Sequence, residues 1–376
     1  MQVAYESGDD NIQPNLESFR LVLLAWSQVG SEGKDYAALR ASRILEWMMH
    51  LYNIDEKSPA VPDADCFDIV LRTWSKSSNK DAPFKVEELI MKMDSLYING
   101  NESAKPSCMS FNQVLSAWSK SNELRAAQRA EEILNHMEKL SNLEGGEAIK
   151  PNIASYSLVV GAWSKTPGND KGRRAELMLR QMEKQYMHHQ SEALRPDSII
   201  YNLVIDAHSK TSSRKAHINA RNVLNAQIEM YKSGVEKCKP DVYSFTSVLG
   251  SCASLAGSRK EKLEAFEIAL KTFNEMCRAG VKPNHVTYGT MLKACGRLLS
   301  NGDRRKKFTR KYFRKACEDG CLGAMAITRL KDAATPTQYK GLVGDLDEEN
   351  LPEEWIRNVP EKEKKYFKMK STRLRP

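Results

Sequence analysis

Three stretches of the sequence repeat one pattern: KPSCMSFNQVLSAWSK at residues 105–120, KPNIASYSLVVGAWSK at residues 150–165 and KPNHVTYGTMLKACGR at residues 282–297. Prolines spaced by 43 to 48 residues introduce seven copies of it: Pro14, Pro62, Pro106, Pro151, Pro196, Pro240 and Pro283. In each copy an aromatic residue follows the proline by five positions, an aliphatic or Met pair by eight and nine, and Trp, His or Cys by twelve. Residues three and four apart share one face of a helix, so these offsets predict an amphipathic helix, which we call helix A.

A second amphipathic helix, helix B, follows each helix A after a polar turn. In the third repeat its apolar stripe consists of Ala126, Ala130, Ile133, Met137 and Leu140. Neither helix is hydrophobic enough to stand alone, so neighbouring repeats must share a core. The sequence therefore predicts an all-α fold, a right-handed α-solenoid of stacked helix-turn-helix repeats with helix A on the concave side.

We expect three parts along the chain. Residues 1–13 are predicted to be disordered, or the remnant of a preceding repeat in an N-terminally truncated chain. Residues 14–320 are predicted to contain seven repeats, at about 16–63, 64–107, 108–152, 153–197, 198–241, 242–284 and 285–320. In the first four repeats polar inserts precede the next proline, and we interpret them as loops. Residues 321–376 are predicted to form a capping helix at 321–333, a loop at 335–350 and a mobile basic tail at 362–375.

The composition excludes several classes of protein. Lys and Arg total 57 against 48 Asp and Glu, which gives a net charge of +9. Eight scattered cysteines exclude a disulfide scaffold. The longest apolar stretch is the six residues 21–26, far shorter than a membrane span. Residues 1–13 carry no Lys or Arg and resemble neither a secretory signal nor a transit peptide.

Two stretches resemble the consensus of the pentatricopeptide repeat family, the helical-hairpin RNA binders of organelles. They are residues 150–160, KPNIASYSLVV, and residues 274–288, NEMCRAGVKPNHVTY. The resemblance covers seven repeats, although the repeats here are longer than the family's regular period. The alternative is a protein-binding scaffold similar to tetratricopeptide arrays.

The resemblance implies a sequence-selective single-stranded RNA-binding protein that acts in organelle RNA processing, stability or translation. Each repeat would read one base, without catalysis by the chain itself and without a cofactor or metal. We expect a monomer in a mitochondrion or plastid, with single-stranded RNA as its partner and no membrane contact. Protein partners are left open.

The resemblance also implies roles for residues at fixed offsets. Base selection in the family falls to the residue after the helix A aromatic, paired with the residue after the following proline. The four middle pairs imply pyrimidine, G, U and A in turn: Asn112 with Asn152, Ser157 with Asp197, Asn202 with Asp241, and Thr246 with Asn284. Base-clamping residues would be Met109, Ala154, Ile199, Tyr243 and Val286. Phosphate-contacting residues would be Lys76, Lys120, Lys165, Lys210 and Arg297.

Structural interpretations compete with these roles. The cations at the ends of helices A could simply stabilise the negative helix C-terminus. Met109 and Tyr243 could pack between repeats, and Asp or Asn after proline would also cap its helix. Two acidic residues at the clamping offset, Glu17 and Asp65, make the first two repeats weak readers or structural caps. Arg20, Asp68 and Gly289 match no familiar base-selecting pair.

Signals for catalysis or metal binding are poor. The Cys317–Cys321 spacing does not fit a zinc or redox pair, and His188-His189 is interpreted as a solvated loop. His208, Cys252 and Cys295 stand at the Trp offset, which indicates packing. In the last helix B eight Lys and Arg residues between 304 and 315 interleave with three aromatics. We expect a solvated face there that extends the basic groove, and a packing side that caps the solenoid.

Overall fold

The computed structural model describes residues 14–31, 35–54, 58–189, 191–344, 351–362 and 364. All regular secondary structure in these ranges is helical, with 17 α-helices and four short 3₁₀-helices, which confirms the all-α prediction. The chain divides into two compact units: residues 1–166 with 184–194 form unit 1, and residues 167–183 with 195–376 form unit 2. The predictions for residues 1–13 and for residues 365–375 lie outside the described residues.

Unit 1 is a stack of helical hairpins. Its helices are α1 Leu16–Ser31, α2 Tyr36–Ile54, α3 Ala64–Lys76, α4 Ala82–Ile98, α5 Cys108–Lys120, α6 Ala126–Ser141, α7 Ile153–Lys165 and the end of α8 Lys171–His189. Each of α1, α3 and α5 packs on the helix that follows it and on the next helix A along the chain. Hairpins that stack through their A helices are the arrangement that the apolar offsets predict.

Unit 2 continues the same pattern. After the first part of α8 its helices are α9 Ser198–Ser209, α10 Ala216–Lys232, α11 Val242–Ala253, α12 Arg259–Arg278, α13 His285–Leu298, α14 Asp303–Glu318, α15 Ala324–Ala333, α16 Pro336–Val343 and α17 Glu353–Ile356. Helices α9, α11 and α13 each pack on the following helix B and on the next helix in the A row, which for α13 is α15. The predicted capping helix is therefore α15.

The residue after each repeat proline caps the helix A that follows. The side chains of Asp63, Ser107, Asn152, Asp197, Asp241 and Asn284 each accept a hydrogen bond from a backbone N–H in the first turn of their helix. At Asn152 the cap is reciprocal, because the Ser155 hydroxyl accepts from the Asn152 N–H at 3.1 Å. The proline and the short polar residue thus determine where each of these helices begins.

A hydrogen bond to the previous helix B orients the buried residue at the Trp offset. The Trp74 indole N–H donates to Ser42 and the Trp118 indole N–H to Glu87, both at 2.7 Å. The Trp163 indole N–H donates to Glu131 at 2.9 Å. His208 replaces Trp and contacts Glu176 at 2.9 Å. The packing role expected for His208, Cys252 and Cys295 is confirmed, because all three are buried.

The hydrogen-bond acceptor on helix B is replaced in the sixth repeat, where neither Trp nor His stands at the Trp offset. In the next repeat Cys252 stands at the Trp offset, and Arg221 stands where the previous repeats have the acceptor. Arg221 instead donates to the Thr272 hydroxyl at 3.1 Å and pairs with Glu275 on α12. A buried thiol is a much weaker hydrogen-bond donor than an indole N–H, so a buried carboxylate opposite Cys252 would lack a partner. The replacement of Trp by Cys is therefore accompanied by the replacement of the carboxylate by Arg221.

The inserts before the prolines are more ordered than the loops we predicted. Those that follow α4, α6, α8 and α10 each contain a short 3₁₀-helix, at Glu102–Ala104, Gly146–Ile149, Glu192–Leu194 and Glu236–Cys238. The residue two positions before the proline is buried each time: Ala60, Ala104, Ile149, Leu194 and Cys238. The loop interpretation was incomplete, because it overlooked the short 3₁₀-helices and this apolar anchor, which gives each insert a place in the core.

Two further predictions were wrong about loops. Residues 336–343, within the predicted loop at 335–350, form α16, since the Thr335 hydroxyl accepts from the Gln338 N–H and Pro336 occupies the first turn. Residues 345–350 of that loop lie outside the described residues. His188 and His189 belong to the last turn of α8 and not to a loop.

The first turn of α8 requires glycine. A Cβ on Gly172 would lie 3.0 Å from the Cα of His208, which is itself buried. We expect Gly172→Ala to destabilise the protein by about 1–3 kcal/mol, because backbone would have to move. Gly250→Ala, a matched control with no atom within 4 Å of its Cβ, should instead stabilise α11 by about 0.5–1 kcal/mol. Urea unfolding of both variants measures the difference, and equal shifts would contradict the close approach.

Candidate nucleic-acid interface

Asn112 and Asn152, predicted to act as a base-selecting pair, lie side by side in unit 1. The Asn112 amide N–H donates to the Asn152 side-chain oxygen over 3.4 Å. The buried Ser155 hydroxyl donates to the Asn112 side-chain oxygen at 2.7 Å. Both asparagines are half-buried. A single serine therefore connects the residue that caps α7 with the residue on α5.

Asn202 and Asp241 form the same arrangement in unit 2. The Asn202 amide N–H donates to the Asp241 carboxylate at 3.2 Å, and the buried Ser244 hydroxyl donates to the Asn202 side-chain oxygen at 2.6 Å. Asp241 is exposed, whereas Asn202 is only 8% exposed. The pair therefore presents mainly its carboxylate to solvent.

The other two pairs are arranged differently. The Thr246 hydroxyl meets the Thr287 hydroxyl at 2.9 Å, and Thr287 donates its backbone N–H to the Asn284 side-chain oxygen, also at 2.9 Å. Ser157 is half-buried on α7 in unit 1, and Asp197 caps α9 in unit 2. Capping by the second residue of every pair is confirmed.

In the first repeat, carboxylates surround the residue at the base-selecting offset. Arg20 stands at the base-selecting offset, and its guanidinium contacts Asp63 at 2.5 Å, Glu17 at 2.8 Å and Asp65 at 3.5 Å. The acidic residues at the clamping offset of the first two repeats are thus partners of one arginine. Such a cluster offers neither a stacking surface nor a free donor to a base.

The second and seventh repeats also depart from the pattern. Burial raises the pKa of the Asp68 carboxyl, and its Oδ1 has no hydrogen-bond partner in the part of the chain that the structure describes. At Gly289 a Cβ would lie 3.3 Å from the backbone nitrogen of Ala326 on α15. The base-selecting offset of the seventh repeat is therefore covered by α15, which explains a glycine there.

The residues predicted to clamp bases are exposed. Met109 is 60% exposed, Ile199 61%, Tyr243 54% and Val286 37%. Ala154 is exposed as well. The alternative interpretation, packing between repeats, is wrong for Met109 and Tyr243, because more than half of each residue remains in solvent.

The lysines predicted to contact phosphate form a row in unit 1. Lys120 and Lys165 each donate to a backbone carbonyl near the end of the preceding helix A, at Ser75 and Ser119, over 2.8 Å. Lys76 donates to the Ser31 hydroxyl at 3.1 Å. The lysines therefore stabilise the C-terminus of the helix A in the previous repeat, and not the C-terminus of their own helix. All three remain exposed and can also face a ligand.

The ammonium groups of this row act on one another. The pKa of Lys120 is lowered, first by partial burial and then by the charges of Lys165 and Lys76. Three like charges held close together create a positive potential that an anion would relieve.

The cations of unit 2 are less uniform. Lys210 pairs with Asp206 at 2.5 Å, and Arg297 is exposed on α13. Lys293, which the sequence pattern missed because it stands at another offset, donates to Ser254 at 2.9 Å. Burial, followed by Arg297 and Arg329, lowers the pKa of Lys293. Lys293 thus brings a positive charge to the one repeat that has serine at the lysine offset.

Neither metal-binding nor membrane features were found in the described ranges. No group of three or more His, Cys, Asp and Glu residues there could hold a metal ion. The Cys321 thiol donates to the carbonyls of Pro283 and Asp319, and burial raises the pKa of Cys317 to about 12. No described helix is long and apolar enough to span a bilayer.

The profile of the PPR repeat family matches residues 261–297. That segment covers most of α12, the repeat proline Pro283 and nearly all of α13. It therefore contains the helix A of the seventh copy of the pattern and the helix B before it. This part of the chain is therefore similar to a repeat of that family. No curated protein sequence matches it.

Solved structures of pentatricopeptide repeat proteins are similar in fold. The crystal structure of PPR10 from maize has a TM-score of 0.51 and 18% identity, and the match covers 91% of this chain and 41% of PPR10. PPR10 in complex with an 18-nt psaJ RNA element gives a TM-score of 0.41 and 17% identity, covering 91% of this chain and 45% of that one. The chain thus spans less than half the length of these PPR10 structures.

Proposed function

We propose that this chain is a pentatricopeptide repeat protein that binds single-stranded RNA sequence-selectively, one base per repeat in its middle repeats. The observation that carries the proposal is the recurrence of large exposed apolar side chains at one offset: Met109, Ile199, Tyr243 and Val286. Exposing such side chains has no benefit for folding, whereas splayed bases need flat or apolar surfaces on which to stack.

Base choice would follow from the polar pairs beside these side chains. Short amide, hydroxyl and carboxylate groups are suited to hydrogen bonds with a Watson-Crick edge. With the preferences implied by the family, the repeats with Asn112, Ser157, Asn202 and Thr246 would read pyrimidine, G, U and A. The repeats with Arg20, Asp68 and Gly289 would not read a base.

The lysine row would bind the RNA backbone. Lys76, Lys120 and Lys165 would each approach a phosphate from the end of a helix A, with Lys210 and Arg297 in the corresponding role in unit 2. The chain would have no catalytic activity of its own and would act on organelle RNA processing, stability or translation, in a mitochondrion or plastid.

A salt titration with a pool of unstructured single-stranded RNA tests this proposal. Five phosphate contacts imply that the logarithm of the affinity falls against the logarithm of salt concentration with a slope of about −3.5. Submicromolar binding at about 0.1 M salt is expected. If no such binding occurs, the protein-binding scaffold becomes the better interpretation.

The lowered pKa of Lys120 gives a pH-dependent prediction. Its charge, and the RNA affinity that the charge confers, is present below its pKa and is lost as the pH rises through that value. Between about pH 8 and about pH 10 the wild type should lose RNA affinity sooner than Lys120→Arg, because arginine does not deprotonate in this range. Fluorescence anisotropy across this range measures the difference. Parallel curves would mean that Lys120 contacts no phosphate.

A further inference from the structure

Helix α14 has an exposed cationic face that the proposed single-stranded site does not use. We define the cationic face by its five residues: Lys306, Lys307, Arg310, Lys311 and Arg314. All five are exposed and line a shallow groove of about 410 Å³ together with Asp303. They recur at spacings of three and four, so they share one side of the helix.

The opposite side of α14 is packed into unit 2. Tyr312 contacts Phe273 of α12 with ring centroids 5.1 Å apart, and Phe313 contacts Trp355 of α17 at 5.8 Å. Thr309 and Ala316 are buried on the same side. The aromatics that interleave with the cations in the sequence therefore point away from the cationic face.

The neighbouring arginines pair with other helices, whereas the side-chain contacts of the cationic face with described residues stay within α14 itself, such as Lys311 over the Tyr312 ring. Arg304 pairs with Glu267 of α12, and Arg305 donates to the Ala333 carbonyl at the end of α15. On the face itself, Lys306 forms an ion pair with Asp303, at 3.9 Å. Like charges three and four residues apart destabilise a helix, so folding stability does not explain this cluster.

We infer that the cationic face binds the phosphate backbone of base-paired RNA, as a second site beside the proposed single-stranded one. Among the described residues of α14 no large apolar side chain is exposed, so the face lacks the aromatic or aliphatic surface that clamps an unpaired base. In a duplex the bases are stacked inside, and a protein meets mainly phosphates and sugars. Arg310 and Arg314 can contact phosphate through two N–H groups each.

Other polyanionic partners fit less well. The apolar side of α14 is already buried in the protein, so the helix cannot insert it into a membrane surface. A stable protein interface centres on aromatic or aliphatic anchors, which this face lacks. A stem next to an unpaired target would thus engage α14 while the fifth and sixth repeats, which belong to the same unit, read the single strand.

Two charge-reversal variants test the inference. The first is Arg310→Glu with Arg314→Glu. The matched control is Lys232→Glu with Lys237→Glu, two exposed lysines at the end of α10 and in the 3₁₀-helix after it. The probes are an RNA hairpin with a stem of just over one helical turn and an unstructured single strand. We expect hairpin affinity to fall at least about tenfold in the first variant and less than about twofold in the control.

The single-strand probe separates this inference from the proposed function. Both variants should bind it as the wild type does, so the second site can fail while the first stands. An Arg310→Gln, Arg314→Gln variant, with the thermal melting of each protein, guards against a folding defect and should also lose hairpin affinity. The inference would be overturned if variant and control bound the hairpin equally, or if the wild type did not bind it at all. It would also be overturned if a polyglutamate peptide displaced the hairpin from the wild type.

Discussion

A variant with Lys76, Lys120 and Lys165 all replaced by Gln should bind every single-stranded RNA about 50-fold more weakly than the wild type at about 0.15 M salt. The salt dependence should become flatter by about two units of slope, since each contact to a single strand contributes roughly 0.7. Glutamine retains an N–H donor that can approach the carbonyls of Ser75 and Ser119, so the substitution removes charge with little loss at the helix ends.

The matched control replaces three exposed lysines on the B helices of unit 1, Lys85, Lys139 and Lys184, by Gln. It changes the net charge equally, and its affinity and slope should stay close to the wild type. Titrations by fluorescence anisotropy at several salt concentrations measure both quantities. If the triple variant changes sequence preference and leaves the slope intact, the lysines do not contact phosphate.

Replacing Asn202 with Thr should change which base the fifth repeat prefers. Thr with Asp241 is the combination that the family resemblance associates with G, whereas Asn with Asp is associated with U. We expect the variant to favour G over U at that position by about 1–3 kcal/mol, the usual range for base-edge discrimination. A selection from randomised RNA with both proteins measures the preference.

The chain itself contains a precedent for this threonine. Thr246 occupies the same offset one repeat later, and its hydroxyl meets that of Thr287 at 2.9 Å, as Asn202 meets Ser244. The exchange still removes a hydrogen bond to Asp241, so we expect a stability loss of about 1 kcal/mol. Asn225→Thr, on an exposed part of α10, serves as the control and should leave base preference unchanged. Identical selections from the wild type and Asn202→Thr would show that this position reads no base.

The sequence alone determined the local features of this protein. Helix A and its buried stripe followed from offsets of three and four, because a helix repeats its faces at that spacing. The helix starts followed from proline and a short polar cap, whose effects reach only a few residues. The exposed residues from Met109 to Val286 were found by their common offset from the repeat proline, because each has a fixed place on its own helix.

Apart from base-selecting pairs such as Asn202 with Asp241, which the family resemblance implied, the tertiary structure decided which distant residues meet. The Trp118 indole finds Glu87, Arg20 gathers carboxylates from two repeats, and α15 covers Gly289. The lysine row contacts the preceding helix A, and α14 leaves one charged face in solvent. These partners lie 31 to 46 residues apart in sequence. Because periodicity within one helix carries no information about which helix packs against it, only the folded chain could identify them.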